Sequence, residues 1–293
     1  MNPTRLATFL ACALQLVAGT GAWAQSDAKT KPKFLQTAAL DSDIARFADA
    51  GEGERIMAVV AAGSIECEVD AKADKTRISA EFEVDGRDAE DAARRAKLVK
   101  LYAERASDGT IIVDAVFPGP RLPWDAVKLS IVAPPTEEIV LKSESGTVRA
   151  KSTAGRLRAS SRSGAIMIDG HRGSVDARTT TGRIEITDAH DGVQATSADG
   201  AIVVALADDN DHPFKVESRK GAVRVEVGPS FDGVVTMATT GGAISLVDPA
   251  RRARISDLSD TRRVAEIGAA AGQSRVETTS GAVTLAVREK QQP

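Results

Sequence analysis

From residue 136 onward the chain alternates apolar and polar positions with a period of two, and glycines punctuate the alternation at regular intervals. Gly146, Gly164, Gly182 and Gly200 follow one another at spacings of 18, and Gly221, Gly242 and Gly281 continue the series at 21, 21 and 39. Two places after these glycines stand Val148, Ile166, Ile184, Ile202, Val223, Ile244 and Val283, and four places after stand Ala150, Ile168, Ile186, Val204, Val225, Leu246 and Leu285. Both columns alternate with polar or small residues, which is the pattern of a strand that buries one face. Five places before the glycines the chain has Leu141, Ala159, Ala177, Ala195, Val216, Met237 and Val276, while Gly155, Gly173 and Gly192 mark a second corner. Each repeat therefore holds two short strands. Three places before each main glycine comes a hydroxyl: Ser143, Ser161, Thr179, Ser197, Ser218, Thr239 and Thr278. Such a column is expected to hydrogen-bond the backbone of the corners, coil upon coil.

Two strands that each bury one face cannot enclose a core alone and must stack on neighbouring repeats. The pattern predicts a mainly β fold, a two-sided parallel β-solenoid over 136–290 with coils of about 18 residues. Two facing sheets would enclose a thin aliphatic core, with coils rising by ~4.8 Å. An antiparallel sandwich of hairpins of similar length is the alternative. Residues 248–273 interrupt the regularity as an irregular excursion.

Upstream, Gly63 is followed by Ile65 and Cys67 at the same offsets, and alternation returns at 78–84, 111–117 and 127–131. Between these strands Ala92, Ala96, Val99 and Ala103 fall at helical spacing, which predicts one amphipathic helix over 88–106. A solenoid must cover its open end, so 42–135 reads as an α/β N-terminal cap carrying that helix. Residues 25–41 read as a tether.

The first 24 residues carry an address. Arg5 precedes an apolar run from Leu6 to Val17, and Ala22-Trp23-Ala24 offers small residues at the positions a signal peptidase reads. The pattern predicts a cleaved export signal over 1–24, a mature chain beginning at Gln25, and a periplasmic or extracellular location. The run is too short to span a bilayer, and no later stretch approaches the ~20 apolar residues needed, so no membrane span is expected in the mature chain.

Composition narrows the function classes. A formal net charge of −3 lacks the broad basic field of a nucleic-acid partner. Aromatics make up only 3% of the chain, as a core two small side chains thick would require. After cleavage Cys67 is the sole cysteine, so no intramolecular disulfide can form; it falls on the apolar side of its strand and reads as buried and inert.

An exported chain with Gly63-Ser64-Ile65-Glu66, then a helix, then Val127-Lys128-Leu129-Ser130-Ile131-Val132-Ala133-Pro134, then Ser145-Gly146-Thr147-Val148 and Ser163-Gly164-Ala165-Ile166 resembles the putative-adhesin family of bacterial β-strand-repeat proteins, a domain of unknown function. The resemblance runs from about Phe47 to Val287, and it departs from the Ser-Gly pattern at Asp199-Gly200, Lys220-Gly221 and Gly241-Gly242. It implies a solenoid-like fold and an envelope or surface location, and supplies no catalytic residues.

The chain holds neither a Gly-x-Ser-x-Gly elbow nor a phosphate-binding Gly-x-x-x-x-Gly-Lys-Ser/Thr loop, and its acids do not recur at the offsets of calcium-binding β-rolls. No cofactor is implied. Three readings follow: a non-catalytic binding or adhesion-like module whose partner is an envelope protein or an extended polymer, a carbohydrate-active β-helix lyase or hydrolase, and a structural or assembly component of the envelope. For binding, the candidates are Ala165, Met167, Ala201 and Val203, which lie one and three places after their glycines and make that outer face less polar than the other. For metal, His171, His190 and His212 with Asp188 fall in successive turns. Stacking would bring neighbouring turns within about 5 Å, so a pair of these histidines could share an ion with a carboxylate.

Overall fold

The computed structural model describes residues 36–45, 54–269 and 272–289. In chain order its elements begin with β1 (Gln36–Ala45), β2 (Glu54–Val60), β3 (Gly63–Val69), β4 (Lys75–Val84), α1 (Ala89–Ala96), β5 (Lys100–Arg105), β6 (Thr110–Val116) and β7 (Ala126–Ala133). The regular repeats supply β8 (Thr136–Ser145), β9 (Val148–Lys151), β10 (Arg156–Ser163), β11 (Ile166–His171), β12 (Val175–Thr181), β13 (Ile184–Ala189), β14 (Val193–Asp199), β15 (Ile202–Leu206), β16 (Phe214–Lys220) and β17 (Val223–Val227). The chain then forms β18 (Gly233–Thr239), β19 (Ile244–Val247), β20 (Ala253–Leu258), β21 (Arg262–Ile267), β22 (Gly272–Ser280) and β23 (Val283–Val287).

These strands build two facing sheets. One has 11 strands in the order β1-β4-β7-β3-β9-β11-β13-β15-β17-β23-β19, and the other 12 in the order β20-β21-β18-β22-β16-β14-β12-β10-β8-β2-β6-β5. From β7 to β19 in the first sheet, and from β18 to β6 in the second, every described pairing is parallel. The molecule is a two-sided solenoid, and the antiparallel sandwich is excluded. Val148, Ile166, Ile184, Ile202, Val223 and Val283 stack inside it with Leu141, Ala159, Ala177, Ala195, Val216 and Val276, all buried in one continuous core. Its rings gather at the two ends of the stack. Phe82 and Phe117 meet edge-on at 5.4 Å at one end, and Phe214 and Phe231 lie 5.6 Å apart toward the other.

The corners explain the glycine and hydroxyl columns together. A Cβ on Gly164 would stand 2.0 Å from the Gly146 carbonyl oxygen, so successive corners approach too closely for any side chain. That approach leaves each glycine carbonyl facing the next coil. Ser161 Oγ donates to Gly146 O at 3.1 Å, Thr179 Oγ1 to Gly164 O at 3.3 Å and Ser197 Oγ to Gly182 O at 3.4 Å. Ser218 reaches Gly200 at 3.0 Å, Thr278 reaches Gly221 at 3.1 Å and Thr239 reaches Gly281 at 3.0 Å. At the other end Ser143 donates to Gly63 at 3.1 Å, which joins β2 and β3 to the same ladder.

The ladder follows the order of coils in space, which differs from their order in sequence. The coil β22–β23 is inserted between β16–β17 and β18–β19, and β2–β3 sits between β8–β9 and β6–β7. The region expected to be only a cap therefore contributes two coils of the solenoid. Antiparallel strands finish the ends: β4 on β7, β1 on β4, β5 on β6, and the pair β21–β20 on β18.

Three expectations are corrected. The helix spans Ala89–Ala96, capped by the Asp88 side chain on the Asp91 amide, and does not continue to 106. Residues 100–105 instead pair antiparallel with β6, where Ala103 falls two places after Leu101 on the inner face of a strand as readily as it falls at helical spacing from Val99. The tether does not extend to 41, because Gln36–Ala45 is a strand paired with β4. The excursion over 248–273 contains the antiparallel pair β20–β21. The expected signal over 1–24 and the tether over 25–35 lie outside the described residues.

Two buried ion pairs fix the N-terminal end. Arg95 grips Asp125 through Nη2–Oδ2 at 2.7 Å and Nη1–Oδ1 at 3.1 Å, and also donates to the Asp85 and Pro120 carbonyls. Asp125 accepts in addition from the Asp85 and Leu122 amides, so helix, strand end and loop converge on one carboxylate. Arg105 and Thr76 share Glu54, each at 3.0 Å.

Candidate functional site

The outer face of the 11-stranded sheet is built from the residues that alternate with the core columns. Register places Met167 between Arg149 on β9 and Glu185 on β13, and Val203 between Glu185 and Arg224 on β17. All of the candidate binding residues Ala165, Met167, Ala201 and Val203 are half-buried. They do not make a continuous apolar strip, because Glu185 lies between Met167 and Val203 and Arg183 lies between Ala165 and Ala201. Arg149 Nη2 stands 3.5 Å from Met167 Sδ and its Nη1 3.9 Å from Glu66. Thr187 donates to Asp169 at 2.7 Å. Together with Lys151 these residues line a groove of about 400 Å³ centred on Met167, with a thioether floor and both signs of charge on its rim. Continuous small-residue packing occurs further along, where backbone bonds stack Ala201, Ala222, Ala282 and Ala243.

Four outward acids of the two sheets pair with a cation two residues away in the chain. Arg178 holds Asp176 at 2.8 Å, Arg183 holds Glu185 at 3.1 Å, Lys215 holds Glu217 at 2.9 Å and Arg275 holds Glu277 at 2.5 Å. Hydrogen bonding to its carboxylate pushes Arg178 above its ordinary range, and Arg275 is raised in the same way.

The three histidines fall in successive turns of one edge, where the His190 amide bonds the His171 carbonyl at 3.0 Å, but their side chains do not converge. His171 is fully buried: Thr153 Oγ1 lies 2.8 Å from its Nδ1 and the Gly155 carbonyl 3.1 Å from its Nε2. A ring that donates from Nε2 to that carbonyl and accepts the Thr153 hydroxyl at Nδ1 is neutral, and burial holds its pKa below the usual value. The cause is Gly170, whose left-handed backbone (φ 65°) turns the following residue inward. His190 projects outward, with Asp209 Oδ1 2.9 Å from Nδ1 and Asp188 Oδ2 3.3 Å from Nε2. His212 lies 3.3 Å from Asp211 and 3.6 Å from Asp191. Among the described residues no three His, Cys, Asp or Glu side chains converge to hold a metal ion. Cys67 is buried, and burial pushes its thiol up to about 12.

Two surfaces escaped the sequence reading. A groove of about 730 Å³ crosses the outer face of the 12-stranded sheet, lined by Thr196, Arg219, Thr240, Thr261, Arg262 and Thr279. Its signal was the doubled threonine ahead of the glycines, at Thr179-Thr180, Thr239-Thr240 and Thr278-Thr279. The other surface is the end of the cap, where Leu98, Tyr102 and Val116 are exposed; assignment of 88–106 to a single helix hid it.

The family model described as Toastrack DUF4097 matches residues 58–245, more than half of the chain. Among solved structures the chain is similar to a putative adhesin from Bacteroides fragilis, at 10% identity over 85% of this chain and 97% of that one, with a TM-score of 0.43. It is similar to a putative cell adhesion protein from Clostridium sporogenes, at 8% identity over 85% and 100% of the two chains, with a TM-score of 0.32. A third is a putative lipid binding protein from Parabacteroides distasonis, at 12% identity over 86% and 97%, with a TM-score of 0.29. No curated protein matches the sequence. No helix among the described residues is long and apolar enough to cross a membrane.

Proposed function

The chain belongs to the Toastrack DUF4097 family, and from that premise we propose that it is an exported, non-catalytic binding module of the bacterial envelope or cell surface. The partner is an envelope protein or an extended polymer, held along the outer face of the 11-stranded sheet. The observation that carries this reading is the face itself, a rigid stack of parallel strands whose groove around Met167 offers apolar floor and paired charges instead of a proton-transfer constellation. Extended partners suit such a surface, because many weak contacts sum along its length. The leader pattern around Ala22-Trp23-Ala24 supports export to the periplasm or beyond.

The test is capture from envelope extracts with the chain from Gln25 onward, beside the double variant Met167→Glu, Val203→Glu. Retention of one envelope component by the parent chain, lost in the variant, is the expected result. Turnover of an envelope polysaccharide that disappears in Glu217→Gln or Glu277→Gln would replace this reading with the carbohydrate-active enzyme.

A further inference from the structure

Among the described residues five large apolar side chains are exposed, and three of them lie at one end of the molecule: Leu98 at 53%, Tyr102 at 48% and Val116 at 38%. β5 is the last strand of the 12-stranded sheet, and its outward residues Lys100 and Tyr102 stand opposite Val116 and Asp114 of β6. The sole tyrosine of the chain is here, and so, half-buried on the adjoining loop, is Trp124, the one tryptophan outside the leader. Elsewhere the mature chain almost dispenses with aromatic residues that have a polar end.

Charge is distributed unevenly around this tip. The chain as a whole is acidic, yet residues 92–103 and 115–124 contain five cations and no carboxylate. Of the five, Arg95 is consumed by Asp125 and Arg94 pairs with Asp91. Lys97, Lys100 and Arg121 are exposed, and none of them has an ion-pair partner among the described residues. Asp114 stands directly opposite Tyr102 and Glu104 follows Tyr102 on the same face of β5, so two carboxylates flank the patch at its Tyr102 end. The Arg95–Asp125 grip, which also takes the Pro120 carbonyl and the Leu122 amide, fixes the loop beside β5, so apolar and basic groups are held together at the end of the stack.

We propose that this end of the cap docks onto an anionic lipid bilayer, with Leu98, Tyr102 and Val116 entering the interface and Lys97, Lys100 and Arg121 meeting lipid headgroups. Tyrosine and tryptophan favour the boundary between hydrocarbon and water, and lysine stems lie along apolar surface while their ammonium groups reach the headgroups. Attraction of each unpaired cation to an anionic leaflet raises affinity about five-fold and falls with salt. The site is separate from the groove around Met167 and stands or falls without it.

The test is co-sedimentation of the chain from Gln25 onward, which lacks the apolar leader, with vesicles of phosphatidylcholine alone or mixed with phosphatidylglycerol. Binding to the mixed vesicles, weakened by salt, is the expected result. Leu98→Asp with Tyr102→Asp should lower it by at least about ten-fold, and Lys97→Glu with Lys100→Glu by a similar factor. Val247→Asp, at an exposed apolar position on β19 at the far end, should leave it unchanged. Circular dichroism of each variant confirms that the fold survives. No sedimentation with mixed vesicles, or equal loss in all three variants, overturns the proposal. So does a dimer that dissociates on Leu98→Asp without any lipid binding, which would make the patch an interface between copies.

Discussion

Thr179→Val removes one rung of the corner ladder without opening a cavity. The two side chains are nearly isosteric and both favour strands, so packing and propensity change little. What is lost is the hydroxyl that reaches the Gly164 carbonyl at 3.3 Å from a side chain only 7% exposed. A hydrogen bond of this kind contributes about 1 kcal/mol net, and a buried carbonyl left without its donor costs about 1–3 kcal/mol. Because the corner borders solvent, the lower part of that range applies, and destabilisation by about 1–2 kcal/mol is expected. Thr181→Val is the control. Its hydroxyl makes a 3.4 Å contact to the Arg162 carbonyl from an exposed position, and its removal should cost about 0.5 kcal/mol or less. Urea unfolding followed by circular dichroism gives the two midpoints, with equal slopes required before they are compared. Stacked arrays can lose cooperativity, so amide exchange at Ile166, which bonds Arg183 across the same two coils at 2.9 Å, provides a local reading. Equal stability of the two variants, with unchanged exchange at Ile166, would refute the ladder as a source of stability.

Other outcomes follow from the same structure. Asp125→Ala strands the buried Arg95 guanidinium and should cost about 3–5 kcal/mol, visible as a large fall in the thermal midpoint. Gly182→Ala puts a Cβ 2.1 Å from the Gly164 carbonyl oxygen at a backbone φ of 157°, and soluble expression should fall sharply against Ala198→Gly on the outer face. The Cys67 thiol, pushed up to about 12 by burial, should resist a thiol reagent at pH 8 in the native protein and react fully in urea; native labelling would count against its placement. His171 has a folded pKa below its unfolded value, so the unfolded chain binds the additional proton, and stability present above about pH 6.5 should decline as pH falls through the lowered folded pKa. His171→Gln should show a smaller loss between pH 7 and pH 5 in urea midpoints.

The periodic part of the fold was legible because each coil repeats one local problem, a corner that excludes side chains beside a strand that buries one face. Glycine, hydroxyl and β-branched columns follow directly from it. Coil order was not legible, because every coil presents the same columns and nothing in Gly281 states that it stacks on Gly221 and carries Gly242. The helix overran its end because Val99 and Ala103 fit a helical spacing, whereas pairing of Lys100–Arg105 with β6 decided the matter. On the outer face Met167 and Val203 were correctly placed outward, but the same column also contains Arg149, Glu185 and Arg224, which break the strip. His171 and His190 differ by one position relative to their glycines, at seven and eight places after Gly164 and Gly182, and one step across a strand separates interior from solvent.

The insertion of β22–β23 bears on how the molecule is assembled and how it comes apart. In an ordinary stack the last coil made is the last coil laid down, and it can peel away first. Here β18–β19 has no described coil to rest on until residues 272–289 have arrived, since among the described strands only β23 pairs with β19 and β22 lies between β18 and β16. Completion of that end must therefore await β22–β23, the coil that comes later in sequence. Once closed, β22–β23 is held on both flanks, so the described coil that comes latest in sequence does not lie at an end of the solenoid. Peeling that coil away must break two interfaces at once, whereas a whole repeat added among the consecutive coils between Gly146 and Gly221 leaves the insertion undisturbed.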